Sequence, residues 1–225
     1  WSLSDEEKKI IVDEHNKYRS QVSPPAMAMM KMTWDTDLEV TAQNQARDCS
    51  WSRNGGGKNL FAATSTLDVK LAIEEWNRER EFYNFSTSEC DPGKTCDDYT
   101  QLVWAGTNHV GCGSSYCEEV DGIEAENVQL LVCIYFPRSN IKDNMPYWAG
   151  PSCTTCPKDT VCVNNLCGEH ALLAPSLKRI FSNFIFSSLL DTEKLKKSAK
   201  GGAPSTCLGL SLFLLPSAIL LGLLL

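Results

Sequence analysis

The residues able to carry chemistry in this chain are few and badly placed for catalysis. Three histidines, His15, His109 and His170, are scattered along 225 residues. None stands at motif spacing from a nucleophile: there is no Gly-x-Ser-x-Gly elbow, and a serine without a placed imidazole base is not activated. The acidic pairs Asp97-Asp98 and Glu118-Glu119 are adjacent in sequence, which on a strand sends the two side chains to opposite faces rather than to one bond. Gly55-Gly56-Gly57 is followed by Lys58-Asn59 and not by Lys-Ser or Lys-Thr, so it reads as a shortened flexible loop and not as a phosphate cradle. No catalytic set and no cofactor are expected.

Cysteine is the abundant reactive residue. Ten of the eleven cysteines lie between Cys49 and Cys167, and the odd one is Cys207. That density points to a disulfide framework made in an oxidising compartment, and an even set leaves no free catalytic thiol in the head. Residues 153 to 167 run Cys-x2-Cys-x5-Cys-x4-Cys with few apolar residues, so cross-links must hold them. A four-cysteine zinc site is the competing reading, and secretion disfavours it. Asn84-Phe85-Ser86 is the single Asn-x-Ser/Thr sequon, which makes Asn84 the expected glycan acceptor.

Helices first and strands later must position these groups. Ser4-Asp5-Glu6-Glu7 is a capping box ahead of Ile10, Ile11, His15, Tyr18 and Val22, which share one helix face ended by Pro24-Pro25. Asp35 caps a second helix through Leu38, Ala42 and Ala46 toward Cys49, and a third runs from Asp68 through Val69, Ile73 and Trp76 to Arg80. Tyr99 to Ala105, His109 to Ser114 and Asn127 to Phe136 are rich in Val, Tyr, Trp and Leu and read as strands. The result is an α+β domain, an antiparallel sheet covered by helices.

Charge and the chain ends bound the setting. Twenty-one Lys+Arg against 28 Asp+Glu give a net charge of −7, which argues against a nucleic-acid binder. The chain begins at Trp1 without Met, so a cleaved leader is expected. Residues 207 to 225 are uncharged and follow small residues, Ser198, Gly201 and Gly202 among them. This is the pattern of a glycosylphosphatidylinositol (GPI) attachment signal, with Ser198, Gly201 and Gly202 as candidate attachment points and a retained membrane helix as the alternative. The expected organisation is a head at 1–146, a cysteine-rich hinge unit at 147–168, a stalk at 169–206 and the tail at 207–225.

Five segments resemble the CAP family, named for cysteine-rich secretory proteins, antigen 5 and pathogenesis-related 1 proteins. They are EHNKYRSQVSPPAMAMMKMTWDTDLEVTAQNQARDCSW, EEWNREREFYNF, DYTQLVWAGTNHVGCG, LLVCIYFPRSNI and PYWAGPSCTTCPKDTVCVNNLC, in family order over about residues 5 to 167. The resemblance implies a three-layer α-β-α CAP sandwich followed by a small disulfide-rich hinge unit. It also implies the pairs Cys49–Cys117, Cys112–Cys133, Cys90–Cys96, Cys153–Cys162 and Cys156–Cys167.

The family has a cleft of two histidines and two glutamates able to hold a divalent metal. Carried over position by position, these fall at Arg53, Lys58, Glu79 and Asp98, so that only Glu79 is retained. Guanidinium and ammonium groups donate and repel a metal ion, and no metal is expected there. Either Arg53 or Lys58 pairs with Glu79 and Asp98, or all four side chains are solvated. Ile134 and Ser139 also depart from the family's second signature. The resemblance therefore implies a non-enzymatic extracellular module on the outer face of the plasma membrane, held there by a lipid anchor and recognising a protein partner. Peptidase inhibition or growth regulation are its implied activities. A lipid or sterol site near Trp76, Phe82, Tyr83 and Phe85 is the alternative, and a cleft hydrolase is disfavoured.

Overall fold

The computed structural model describes residues 2–124, 126–139 and 145–169. The stalk and tail, with His170, Cys207 and the attachment candidates Ser198, Gly201 and Gly202, lie outside the described residues. No helix among the described residues is long and apolar enough to cross a membrane.

Local capping chemistry sets the helix starts. Helix α1 (Asp5–Ser20) opens with Ser4 Oγ accepting the Glu7 N–H at 3.2 Å while Glu7 Oε2 accepts the Ser4 N–H at 2.7 Å. This reciprocal bond satisfies two donors that a helix end leaves open. Helices α2 (Thr36–Arg47) and α3 (Val69–Arg78) begin alike, the Asp35 and Asp68 carboxylates each accepting two first-turn N–H groups. A single 3-10 turn, Glu79–Phe82, continues α3.

Tyr99 to Ala105, expected as a strand, instead contributes to helix α4 (Asp97–Leu102). Tyr99, Leu102 and Val103 are all buried, and their spacing of three and four residues puts them on one helical face. Their bulk favours a strand locally, and packing overrides it. Asp97 and Asp98 consequently occupy the first turn of a helix rather than a strand, Asp97 exposed and Asp98 buried.

Strands β1 (Thr33–Trp34), β2 (Lys58–Ala63), β5 (His109–Glu119) and β6 (Glu126–Phe136) form the main sheet in the order β1-β5-β6-β2. β1 is parallel to β5 and the remaining pairs are antiparallel. Between α3 and α4 lies the two-residue pair β3 (Tyr83–Asn84) and β4 (Glu89–Cys90). The main sheet is the middle of three layers. Alternation along β6 sends Val128, Leu130, Val132 and Ile134 into one core with Ala42 and Ala46 of α2. Leu131, Cys133 and Tyr135 enter the other with residues of α1, α3 and α4. Both faces of β6 are covered, which explains its almost unbroken apolar run. On β5, a Cβ at Gly111 would lie 2.2 Å from the Glu39 backbone N, and one at Gly113 2.3 Å from Gln43 Cα. Only glycine lets α2 pack its backbone onto that strand.

Disulfides tie the layers and the appendage. Cys49–Cys117 joins the end of α2 to β5, Cys112–Cys133 links facing positions of β5 and β6, and Cys90–Cys96 closes the loop before α4. Cys153–Cys162 and Cys156–Cys167 hold the hairpin of β7 (Thr160–Val163) and β8 (Leu166–Glu169). The sulfurs of Cys153, Cys156 and Cys167 lie within 4.8 Å of one another. All three are bonded as disulfides, so they offer no thiolate to zinc. Main-chain bonds stitch this hairpin to the head: Cys167 N–H donates to Met29 O at 2.7 Å and Lys31 N–H to Cys167 O at 2.8 Å.

The most heavily bonded side chain in the head is Arg19, which is completely buried. Its guanidinium donates to Met30 O (2.7 and 3.1 Å), Leu102 O (3.0 Å), Trp104 O (2.8 Å), Ala105 O (3.3 Å) and Thr107 O (2.6 Å). Burial lowers its pKa to about 9, so the group is charged at neutral pH. One helical turn earlier, buried His15 places Nδ1 2.7 Å from Ile11 O and Nε2 2.8 Å from the Tyr135 hydroxyl. A carbonyl only accepts, so Nδ1 carries the proton and Nε2 accepts from Tyr135. Arg19→Lys replaces a planar fork by a point donor and leaves several of these carbonyls unpaired. It is expected to lower unfolding stability by about 3–5 kcal/mol, read as a shift of the urea midpoint at pH 7. A midpoint equal to that of the unaltered protein would remove Arg19 from this role.

Candidate functional site

Arg53, Lys58, Glu79 and Asp98 come from four different places; Arg53 and Lys58 line one cleft, and Asp98 and Glu79 are tied to its wall through Arg53 and the start of α4. Arg53 precedes the Asn54–Gly57 turn, Lys58 opens β2, Glu79 follows α3, and Asp98 lies in the first turn of α4. The cleft holds about 1120 Å³. Its walls come from the 53–58 segment and from residues 83–104, including Asn84, the expected glycan acceptor.

The four residues have separate jobs. Arg53 forms a two-pronged ion pair with Asp98: Nη1 meets Oδ1, and Nη2 meets Oδ2 at 2.8 Å. The guanidinium also lies 6.0 Å from the Trp51 ring centroid. Burial pushes the Asp98 carboxyl up to about 6, against the opposing pull of Arg53. Desolvation pulls Arg53 down, but the bond to Asp98 and the charges of Asp98, Glu79 and Asp97 together hold it above its usual range. Asp98 is 5% exposed, so this pair differs in kind from a solvated surface bridge.

Glu79 makes no ion pair among the described residues. Its Oε2 accepts the N–H groups of Asp98 (2.9 Å) and Tyr99 (3.1 Å), and Oε1 accepts Thr95 Oγ1–H at 2.9 Å. Cys96, at the N-cap of α4, has no side-chain capping bond, and a carboxylate from another segment supplies the missing acceptor and complements the helix dipole. Asn59 supports the same helix, its Nδ2 donating to Asp98 O at 3.0 Å. Lys58 joins neither acid: burial and the charge of Arg138 both lower its pKa. The expected quartet is thus an Arg53–Asp98 pair, a capping Glu79 and a separate Lys58.

A divalent cation does not fit these residues. Two of the four positions are cationic, both Asp98 oxygens face Arg53, and both Glu79 oxygens accept protein hydrogens. Lone pairs already engaged in this way are unavailable as ligands. The other chemistry-bearing residues do not converge here. His15 is buried under α1, His109 bonds Asn108 Oδ1, and Glu118 and Glu119 are exposed near the end of β5. Of the aromatic group at Trp76 to Phe85, Trp76 is buried with Nε1 donating to Leu60 O, half-buried Phe85 packs on Tyr147 at 4.6 Å, and half-buried Tyr83, 5.9 Å from Tyr99, lines the cleft. Sequence reasoning missed Thr95, Asn59 and Arg138, none of which belongs to a local motif.

The profile of the "Cysteine-rich secretory protein family" matches residues 12–135. "Peptidase inhibitor 16" of Homo sapiens is 48% identical over 171 residues, covering 74% of this chain and 37% of that protein. "GLIPR1-like protein 1" of Bos taurus is 38% identical over 168 residues, covering 68% of this chain and 67% of that one. Among solved structures, the hookworm platelet inhibitor superposes with a TM-score of 0.61 at 23% identity, covering 75% of this chain and 93% of that one. The last likeness concerns the fold alone. The chain spans about a third of the length of the Peptidase inhibitor 16 proteins it matches.

Two of the perturbed buried groups, Asp98 and His15, act on stability in opposite directions between pH 4 and 6.5. Asp98, raised to about 6 from 3.8, binds a proton more tightly folded than unfolded, so its contribution to stability falls by about 3 kcal/mol as pH rises from 4 to 6. His15, lowered to about 4 from 6.5, contributes stability above pH 6.5 and loses about 3 kcal/mol of it as pH falls to 4. Together they nearly cancel. Asp98→Asn removes the first and exposes the second, so the variant is expected to lose about 3 kcal/mol more than the unaltered protein between pH 6.5 and 4. Urea midpoints at the two pH values check this, and parallel pH slopes for both proteins would refute it.

Proposed function

The chain belongs to the cysteine-rich secretory protein family, and from that premise we propose a non-enzymatic, extracellular recognition module presented at the cell surface. One observation carries the reading: where the family holds metal-ligating side chains, this cleft holds an Arg53–Asp98 ion pair and a Glu79 engaged as a helix cap. Such groups orient a surface and activate neither water nor a nucleophile. The five disulfides support an oxidising compartment. The uncharged run at 207–225 behind Ser198, Gly201 and Gly202 supports a GPI anchor. Peptidases are the first partner class to examine, because the similar human protein carries the name "Peptidase inhibitor 16". Trp76 is engaged in the core and Phe85 against Tyr147, which favours a protein partner over a lipid or sterol.

The test is expression of the complete precursor in animal cells, followed by treatment of intact cells with phosphatidylinositol-specific phospholipase C. Release of a head with ten oxidised cysteines is expected. The released protein, added to a panel of extracellular peptidases, is expected to bind without being turned over and to hydrolyse no peptide or ester substrate. Retention inside the cell with reduced thiols, or hydrolysis abolished by Asp98→Asn, would overturn the proposal.

A further inference from the structure

Six cations among the described residues meet a carboxylate, Lys8, Lys17 and Arg53 among them. Lys58 and Arg138 do not, and what sets them apart is that both stand at the Gly55–Gly57 turn. They lie close enough for Arg138 to depress the Lys58 pKa, and neither has a carboxylate partner among the described residues. Two like charges side by side are unfavourable unless something else holds them. Here the backbone holds one: Arg138 Nη1 donates to Gly55 O at 2.9 Å. The Arg138 side chain is laid over the turn so closely that a Cβ at Gly57 would meet its Cγ at 2.7 Å. Gly57, at φ +66°, provides both the left-handed backbone and the bare surface. The bond to Gly55 leaves other N–H groups of exposed Arg138 for a ligand, and half-buried Lys58, next in sequence to Gly57, lines the cleft together with Gly55 and Gly57.

We propose that the corner formed by Lys58 and Arg138 over the Gly55–Gly57 turn binds a single carboxylate presented by a protein partner. This rests on the recognition reading above and gives it a ligand chemistry. A planar guanidinium and an adjacent ammonium match a two-oxygen acceptor. The rest of the cleft narrows the choice of carrier. Glu89, Asp91 and Asp97 line the same space, and the chain carries a net charge of −7. Both repel a polyanion such as a sulfated glycan. A lone acidic side chain flanked by basic residues complements cations and carboxylates together.

The probes are the peptide acetyl-Lys-Glu-Lys-amide, its Gln counterpart and sodium sulfate, each titrated calorimetrically into the full chain at low salt. The Glu peptide is expected to bind about tenfold more tightly than the Gln peptide, and Lys58→Gln and Arg138→Gln each to reduce its affinity by about tenfold. Gly57→Ala, which keeps every charge and displaces Arg138, is expected to do the same. Unchanged thermal midpoints for Lys58→Gln and Arg138→Gln separate lost binding from lost folding. Equal affinity for the two peptides, or full affinity in both charge variants, would overturn the proposal, as would sulfate binding without peptide binding. Release from cells and peptidase binding do not depend on this peptide preference, so this inference and the recognition reading fail separately.

Discussion

A buried guanidinium with carbonyl oxygens for company governs this head. Arg19 accepts no help from a carboxylate: six donated bonds to five main-chain oxygens surround it, and these come from the segment before β1 and from residues 102–107. A carbonyl group carries only a partial charge, so stabilising a full cation this way requires several at once. That requirement fixes the end of α4 against α1 and the loop leading into β5. Asp98 and Glu79 can then meet at the other end of α4 in a fixed relation. The cleft is therefore assembled from the inside outward, with its polar rim positioned by a polar core.

Legibility in the sequence followed the range of the forces involved. The helix starts at Ser4, Asp35 and Asp68 were readable because a cap and its N–H partners lie within three residues. The paired apolar faces of β6 were readable as a strand for the same local reason. Tyr99 to Ala105 was not, because its residues favour strands while Arg19 and the core around Leu102 demand a helix. β2 was hidden behind three glycines and a lysine, although it pairs along its full length with β6. Arg19 itself falls on the buried face of α1 between recognisable apolar positions, and its type argues for the surface.

The cleft shows the same division. Opposite charges suggested that Arg53 or Lys58 pairs with Glu79 and Asp98, and the structure joins Arg53 to Asp98 while Glu79 turns to backbone N–H groups. Nothing about Glu79 announces that it caps a helix eighteen residues downstream, since its partners are backbone groups that every sequence contains. Arg138 is equally silent, because its site consists of a missing Cβ at Gly57 and a carbonyl at Gly55. Family resemblance located the four positions, and physical geometry redistributed their roles. A site that in relatives would gather ligands around one centre becomes here a latch, a cap and a cationic corner.

The way the cysteine-rich hairpin is attached has a mechanical meaning. Chain beyond residue 169 leaves the head from β8, whose Cys167 is bonded by its main chain to Met29 and Lys31 and by its sulfur to Cys156. Tension applied through that exit meets the end of the β7–β8 ladder at Glu169 and Gly168 and then the Cys156–Cys167 cross-link. What passes on is delivered at Met29–Lys31, the segment whose Met30 carbonyl holds Arg19. Load is thus directed into the most densely bonded point of the head, the guanidinium that also holds the end of α4. A pull on the C-terminal side of the hairpin is therefore resisted by a cross-link and by many hydrogen bonds at once before it can shift α4.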